Sequence, residues 1–249
     1  MINLIKITKS FNTQKVLDEL DLNIDPEKIT VIIGQSGGGK SVLLKHIIGL
    51  IRPDSGQIII DGIDISNLND KKLNEVRKKF GMLFQDAALF DSMTVGENVA
   101  FPLNEHTRLS KKEVNKTVNE KLNLVGLKNV THKMPSELSG GMRKRVGLAR
   151  AIALDPKIVL FDEPTTGLDP IMRESVDELI VATQKRTKAT FVIISHDIES
   201  AFTIAHKVAM LYQGKIVAVG TPDEIRSSNN SFVKRFIKDL RGQGSGIRD

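Results

Sequence analysis

The 249-residue sequence contains no cysteine. Disulfide staples, thiolate metal sites and a cysteine nucleophile are thereby excluded, which suits a reducing compartment without fixing it. Aromatic residues make up only 4% of the chain and do not interleave with its basic runs, so no platform for stacking nucleic-acid bases is expected. Apolar runs are short, and none approaches the ~20 residues needed to cross a bilayer. Residues 1–10 also lack the long apolar centre of a secretion signal, so the chain is expected neither to span nor to enter a membrane alone. Internal repeats and low-complexity linkers are missing as well.

What is present is enough for a sizeable core, with 40% hydrophobic and 27% charged residues. The length allows one large α/β domain or two small ones. The formal charge of +6 is spread over separate pairs and triplets, among them Lys71-Lys72, Arg77-Lys78-Lys79, Arg143-Lys144-Arg145 and Lys185-Arg186. Dispersal of this kind reads as a solvated lysine-rich surface rather than a nucleic-acid or lipid patch.

Strand patterns occur at residues 4–8, 22–24, 30–33, 57–60, 81–84, 158–161, 190–194 and 208–212. The early ones crowd together as a β-rich region, whereas the later ones alternate with helices. Residues 94–156 are almost wholly helical in pattern, and Ser110-Lys111-Lys112-Glu113 forms a capping box for a helix ending near Gly126. A second box, Thr221-Pro222-Asp223-Glu224, opens a short helix, and Phe232, Phe236 and Leu240 mark another before a polar tail from Gly242, expected to be mobile.

Residues 31–33 run into Gly34-Gln35-Ser36-Gly37-Gly38-Gly39-Lys40-Ser41, and Val42 begins an apolar helix. Strand, G-x-x-x-x-G-K-S and helix stand in the order a phosphate-binding loop requires. Glycines let successive backbone N–H groups wrap an anion, and the helix turns its positive end toward it. Lys40 is expected on the β- and γ-phosphates of ATP, and Ser41 supplies an oxygen for Mg²⁺. A second apolar strand, residues 158–161, delivers Asp162 and Glu163 to its C-terminal end. Asp162 is placed to hold the metal and Glu163 to polarise the water that attacks the γ-phosphate.

Leu138-Ser139-Gly140-Gly141-Met142 precedes a helical pattern over residues 143–154, with Ser139 as its N-cap. That helix terminus is a second anion site, separate from the first. Here the sequence resembles the ABC ATPases. The resemblance covers about residues 2–240 and implies an α/β P-loop NTPase fold: a RecA-like core with an N-terminal antiparallel β subdomain and an inserted α-helical subdomain. The core and β subdomain would occupy about residues 1–90 and 157–225, the helical subdomain about 91–156, and the C-terminal helix and tail 226–249. It also implies a head-to-tail homodimer in the ATP-bound state, in which Ser139 to Met142 and Asp169 of Gly167-Leu168-Asp169 face the partner's nucleotide.

Other family positions match one at a time. Phe11 corresponds to the aromatic that stacks on adenine, with a core phenylalanine as the alternative. By the same resemblance Gln85 reaches the metal and the attacking water, and His196 contacts the γ-phosphate and helps hold Glu163. Met142 departs from the glutamine of most signatures, which bears on contacts to ribose or adenine rather than to phosphate.

Gln85-Asp86-Ala87-Ala88-Leu89-Phe90, Ala100-Phe101-Pro102-Leu103 and Glu105-His106-Thr107, together with the signature, resemble the ATPase of Mla-type phospholipid transporters. Members of this group have also been labelled ribonucleotide or solvent-resistance transport ATPases. The likeness implies a permease dimer in the inner membrane, with the ATPase on its cytoplasmic face, an MCE-domain lipid-binding protein and often a STAS-domain regulator. The chain ends soon after residues 232–240, so a C-terminal extension reaching the other subunit is not expected. Phe90, Met93 and Phe101 form a permease dock or part of the core. A non-transport ABC scaffold is the reading from a different class.

Overall fold

The computed structural model describes residues 1–244 and divides into two compact units, Met1–Arg77 together with the chain from Val192, and Lys78–Phe191. The first unit opens with a hairpin of β1 (Ile2–Phe11) and β2 (Gln14–Ile24), then β3 (Ile29–Gly34), α1 (Lys40–Ile47), β4 (Ser55–Ile60), β5 (Ile63–Asp64) and α2 (Asp70–Arg77). The antiparallel sheet runs β2-β1-β4-β5. Its buried face comprises Ile2, Leu4 and Ile7 of β1 against Leu20, Leu22 and Ile24 of β2.

Only the last three residues of β2 carry a clear strand pattern in sequence. The reason is visible in the pairing, which shifts register between Leu4 and Ile7, between Ile7 and Lys9 and between Lys9 and Ser10. Each shift breaks the two-residue alternation that makes a strand legible.

The second unit holds β6 (Phe80–Leu83), α3 (Val95–His106), α4 (Lys111–Leu124), α5 (Gly140–Ala151), β7 (Ile158–Asp162) and α6 (Pro170–Thr187). Here β6 and β7 are parallel neighbours, with Leu83 opposite Phe161. Glu113 and Ser110 form the expected reciprocal cap of α4. Thr94 and Glu97 do the same for α3. The expected helical stretch is thus three helices, with a loop between α4 and α5 that contains only a short 3-10 turn, Pro135–Glu137. The signature helix starts at Gly140, immediately after its Ser139 cap, and ends at Ala151, three residues earlier at each end than the periodicity suggests.

The chain crosses back along β8 (Thr190–Ser195) and completes the first unit with α7 (Ile198–Ile204), β9 (Lys207–Tyr212), β10 (Lys215–Gly220), α8 (Pro222–Arg226) and α9 (Ser231–Gly244). The core strands of this unit lie in the order β10-β9-β3-β8, with β3 parallel to β9. Edge strand β10 is not among the expected strands although Ile216 to Val219 form an apolar run, and its Val217 and Val219 stay exposed. Helix α9 seats Phe232 and Phe236 on Tyr212, with ring centroids 4.9 and 5.9 Å away. It continues past the expected tail start at Gly242. Residues 245–249, and the side chain of Leu240, lie outside the described residues. Among the described residues no helix is long and apolar enough to cross a membrane.

Asn98 of α3 is fully buried and ties down the turn before its own helix. Its amide donates to the carbonyls of Phe90 (3.1 Å), Met93 (3.0 Å) and Thr94 (3.0 Å) and accepts from the Phe90 N–H (2.8 Å). Removing it takes the side-chain partner from the Phe90 N–H and the Met93 carbonyl, while the Phe90 and Thr94 carbonyls keep the Met93 and Asn98 N–H groups. We therefore expect Asn98→Ala to lower unfolding stability by about 2–3 kcal/mol. A urea midpoint equal to wild type would show that these bonds are replaced by water at no cost.

Candidate nucleotide site

In the first unit, β3 ends at Gly34 and the chain turns into α1 through five residues. Gly39 is the N-cap of α1 and has φ of +95°, in the left-handed region where a side chain is disfavoured. A Cβ there would lie 3.1 Å from both Val16 Cγ1 and the Val16 carbonyl. Lys40 begins the helix and is only 6% exposed. Its ammonium donates to the carbonyls of Gly34 (2.8 Å) and Gln35 (3.1 Å), which folds the side chain back over the loop. Ser41 is exposed and Val42 half-buried behind it.

A cavity of about 340 Å³ opens beside the loop, lined by Gln35, Ser36, Gly37 and Gly38 on one side and by Gln14, Lys15 and Val16 on another. Tyr212, Gln213 and Gly214 complete it. Phe11 is the register partner of Gln14, a lining residue, but does not itself line the cavity. The ring is 43% exposed, so the core alternative for Phe11 does not hold. Lys9 sits over it, 5.6 Å from the centroid, and is itself fixed by Asp54 at 2.6 Å. That lysine, aided by the Ser10 N–H, holds the Asp54 carboxyl below its usual range. His196 is exposed in the turn between β8 and α7.

In the second unit the pairing of Leu83 with Phe161 puts Gln85 and the acidic pair just beyond the same ends of two parallel strands. Asp162 closes β7 and is half-buried. Glu163 follows with φ of +53°, a conformation unusual for a non-glycine residue and common where function fixes the backbone. Thr166 Oγ1 donates to its Oε2 at 3.0 Å. Lys144 of α5 reaches this region. Burial pushes its ammonium below the usual lysine range, opposed by the carboxylates of Asp86, Glu163 and Asp162.

The signature residues and Asp169 also come together in this unit. Ser139 Oγ accepts from the Met142 N–H at 3.3 Å, and Asp169 caps α6 by accepting from the Met172 N–H at 3.0 Å. A Cβ on Gly141 would overlap the end of the Met172 side chain, and one on Gly140 would lie 3.7 Å from Leu168. The first turn of α5 therefore packs on the loop that carries Asp169. Arg145 fastens the two helices, donating to Ser175 Oγ at 2.7 Å.

Two glycine-rich or serine-capped helix N-termini, an acidic pair and a lysine folded into a loop are a nucleotide machine in outline. The family profile for ABC transporters matches residues 17–166. This chain belongs to the ABC transporter family. Over 235 residues it is 44% identical to a probable ribonucleotide transport ATP-binding protein of Mycobacterium leprae, covering 94% of this chain and 68% of that protein. It is 42% identical to the intermembrane phospholipid transport system ATP-binding protein MlaF of Haemophilus influenzae, covering 96% of this chain and 90% of that one. A solved dimeric ATP-binding cassette, in a post-hydrolysis state with ADP and Pi, superposes with a TM-score of 0.82 at 32% identity over 89% of this chain and 99% of its own. The chain is accordingly an ABC ATPase subunit with the ABC ATPase fold.

Sequence reasoning on this ABC ATPase overlooked Val16, which forms one wall beside the loop, and Lys144 and Arg150. The last two sit on α5, each three residues from Gly147. Their contacts are tertiary and leave no local signal.

If Lys40 is the phosphate cation, Lys40→Ala should weaken ATP binding at least about tenfold. Titration with a fluorescent ATP analogue measures this, and wild-type affinity would contradict the assignment.

Proposed function

We propose that this chain is the ATP-driven motor of a phospholipid transporter, with a membrane permease on the cytoplasmic face of which it sits. The observation that carries the lipid assignment is the likeness to MlaF along 90% of that protein's length. Fold and family alone would leave the cargo open. The name of the mycobacterial relative supports ribonucleotide transport as a second reading. An MCE-domain lipid-binding protein and a STAS-domain regulator are the further partners the first reading implies.

The residue roles follow from chemistry. Backbone N–H groups of Gly34 to Gly39 and the start of α1 bind the β- and γ-phosphates, and Lys40 adds a full charge. Phe11, exposed on the β1–β2 hairpin, stacks on the adenine. The hydroxyl of Ser41, the carboxylate of Asp162 and the side-chain carbonyl of Gln85 are hard oxygen donors, a set that suits Mg²⁺ and leaves room for its waters. When bound, the ion would offset charge on the phosphate oxygens. Glu163 orients and polarises the attacking water, with Thr166 holding one carboxylate oxygen. His196 contacts the γ-phosphate.

In a head-to-tail homodimer, Ser139 to Met142 and Asp169 complete the partner's site, since the first turn of α5 offers N–H groups and a positive helix end. ATP then closes the dimer and hydrolysis reopens it. Phe90 and Phe101 pack with tilted rings, centroids 4.9 Å apart, and Phe90 is 41% exposed, which suits an apolar contact with the permease.

Glu163→Gln should keep ATP affinity, lose steady-state hydrolysis by about a hundredfold or more and accumulate as a nucleotide-bound dimer on gel filtration. Unchanged turnover would remove Glu163 from the role. Isolation of that trapped variant from native membranes should bring down a permease with phospholipid. A permease carrying nucleotide cargo and no lipid would favour the second reading.

A further inference from the structure

The turn that carries Gln85 is held from behind by the signature helix. Ala87 and Ala88 both adopt left-handed backbone conformations, with φ of +60° and +45°. Two such residues in succession cost free energy and need outside support to persist. Support comes from two cations of α5. Lys144 Nζ donates to the Gln85 carbonyl. Arg150 donates from Nη2 to the Ala87 carbonyl at 2.7 Å and from Nη1 to the Ala88 carbonyl at 2.8 Å.

Between them, one helical turn from each, Gly147 lets the turn approach. A Cβ at that position would lie 2.6 Å from Leu83 Cδ1 and 3.0 Å from Ala87 Cβ. Lys144 is nearly fully buried and Arg150 partly so, and the bonds to the Gln85 and Ala87 carbonyls are charge-assisted and shielded in part from water, while the bond to Ala88 is exposed. Arg150 also lies 5.8 Å from the centroid of the Phe90 ring, which packs on Phe101.

We propose that Lys144 and Arg150 are positioning residues: through the carbonyls of Gln85, Ala87 and Ala88 they make the conformation of the Gln85 turn depend on the place of the signature helix. They touch no substrate. They act through Gln85, and the proposal rests on the reading that Gln85 serves the metal and the attacking water. A shift of α5 when its N-terminal turn engages nucleotide would move the three carbonyls with it, along with the Phe90 ring. Binding at one end of the helix would in this way be felt at the turn from Gln85 to Phe90.

The test combines turnover with amide hydrogen exchange on the full chain. Lys144→Met and Arg150→Gln should each lower kcat about tenfold while KM for ATP stays within about twofold. Lys144→Arg, which keeps a charged donor, should recover most of the loss. In a Gln85→Ala background neither substitution should lower kcat further, because both act through that side chain. Exchange over residues 86–90 should quicken about tenfold in the folded, nucleotide-free variants and remain unchanged elsewhere.

Wild-type kcat in both variants, losses that multiply in the Gln85→Ala background, or unaltered exchange at 86–90 would each overturn the clamp. Gln85→Ala with wild-type kcat would instead remove Gln85 from the chemistry, and exchange at 86–90 then decides the clamp by itself. Should a charge-removing variant fail to fold, Arg150→Lys, which can satisfy one carbonyl but not two, carries the same exchange test.

Discussion

A lysine ammonium folded back onto the loop that precedes it is the interaction around which the first unit is arranged. Lys40 is nearly buried, and the carbonyls of Gly34 and Gln35 hold its ammonium above the loop. A cation so placed loses much of its hydration, and phosphate oxygens are the ligand that best restores what is lost. For the geometry to exist, β3 must stop at Gly34, α1 must begin at Lys40, and Gly39 must take a conformation closed to other residues. The β1–β2 hairpin supplies Val16 as a wall of the cavity beside the loop, and Phe11 of the same hairpin is exposed.

The second unit uses the same physics at another helix terminus. Ser139 caps α5, the small residues after it leave the first turn open to close approach, and Asp169 caps α6 alongside. Farther along α5, Lys144, Gly147 and Arg150 face the turn after β6. One helix therefore presents a serine-capped N-terminus and, farther along, the cations that bind carbonyls of the Gln85 turn. Parallel pairing of β6 with β7 brings that turn beside Asp162 and Glu163.

Much of this was legible in the sequence wherever the signal is local. A strand, a glycine loop and a helix follow one another at the phosphate loop, and Ile158 to Phe161 deliver the acidic pair without help from distant residues. The Ser110 and Thr221 capping boxes formed as written. The first eight residues of β2 were hidden because bulges disturb their alternation. Lys144 reads as part of a dispersed, solvated basic run, and Arg150 draws no reading. Only the folded chain shows that the carbonyls they bind belong to a strained turn some sixty residues earlier.

The central claim is that each chain carries halves of two different nucleotide sites. Mixing two inactive subunits tests it most directly: one with Lys40→Ala, the other with Ser139→Arg, each without turnover as a homodimer. If the phosphate loop of one subunit works with the signature of the other, the mixed dimer contains one site built from two intact halves, and ATP hydrolysis should reappear on mixing. If loop and signature worked within one chain, every site in the mixture would be damaged, and absence of hydrolysis in a confirmed mixed dimer would contradict the account.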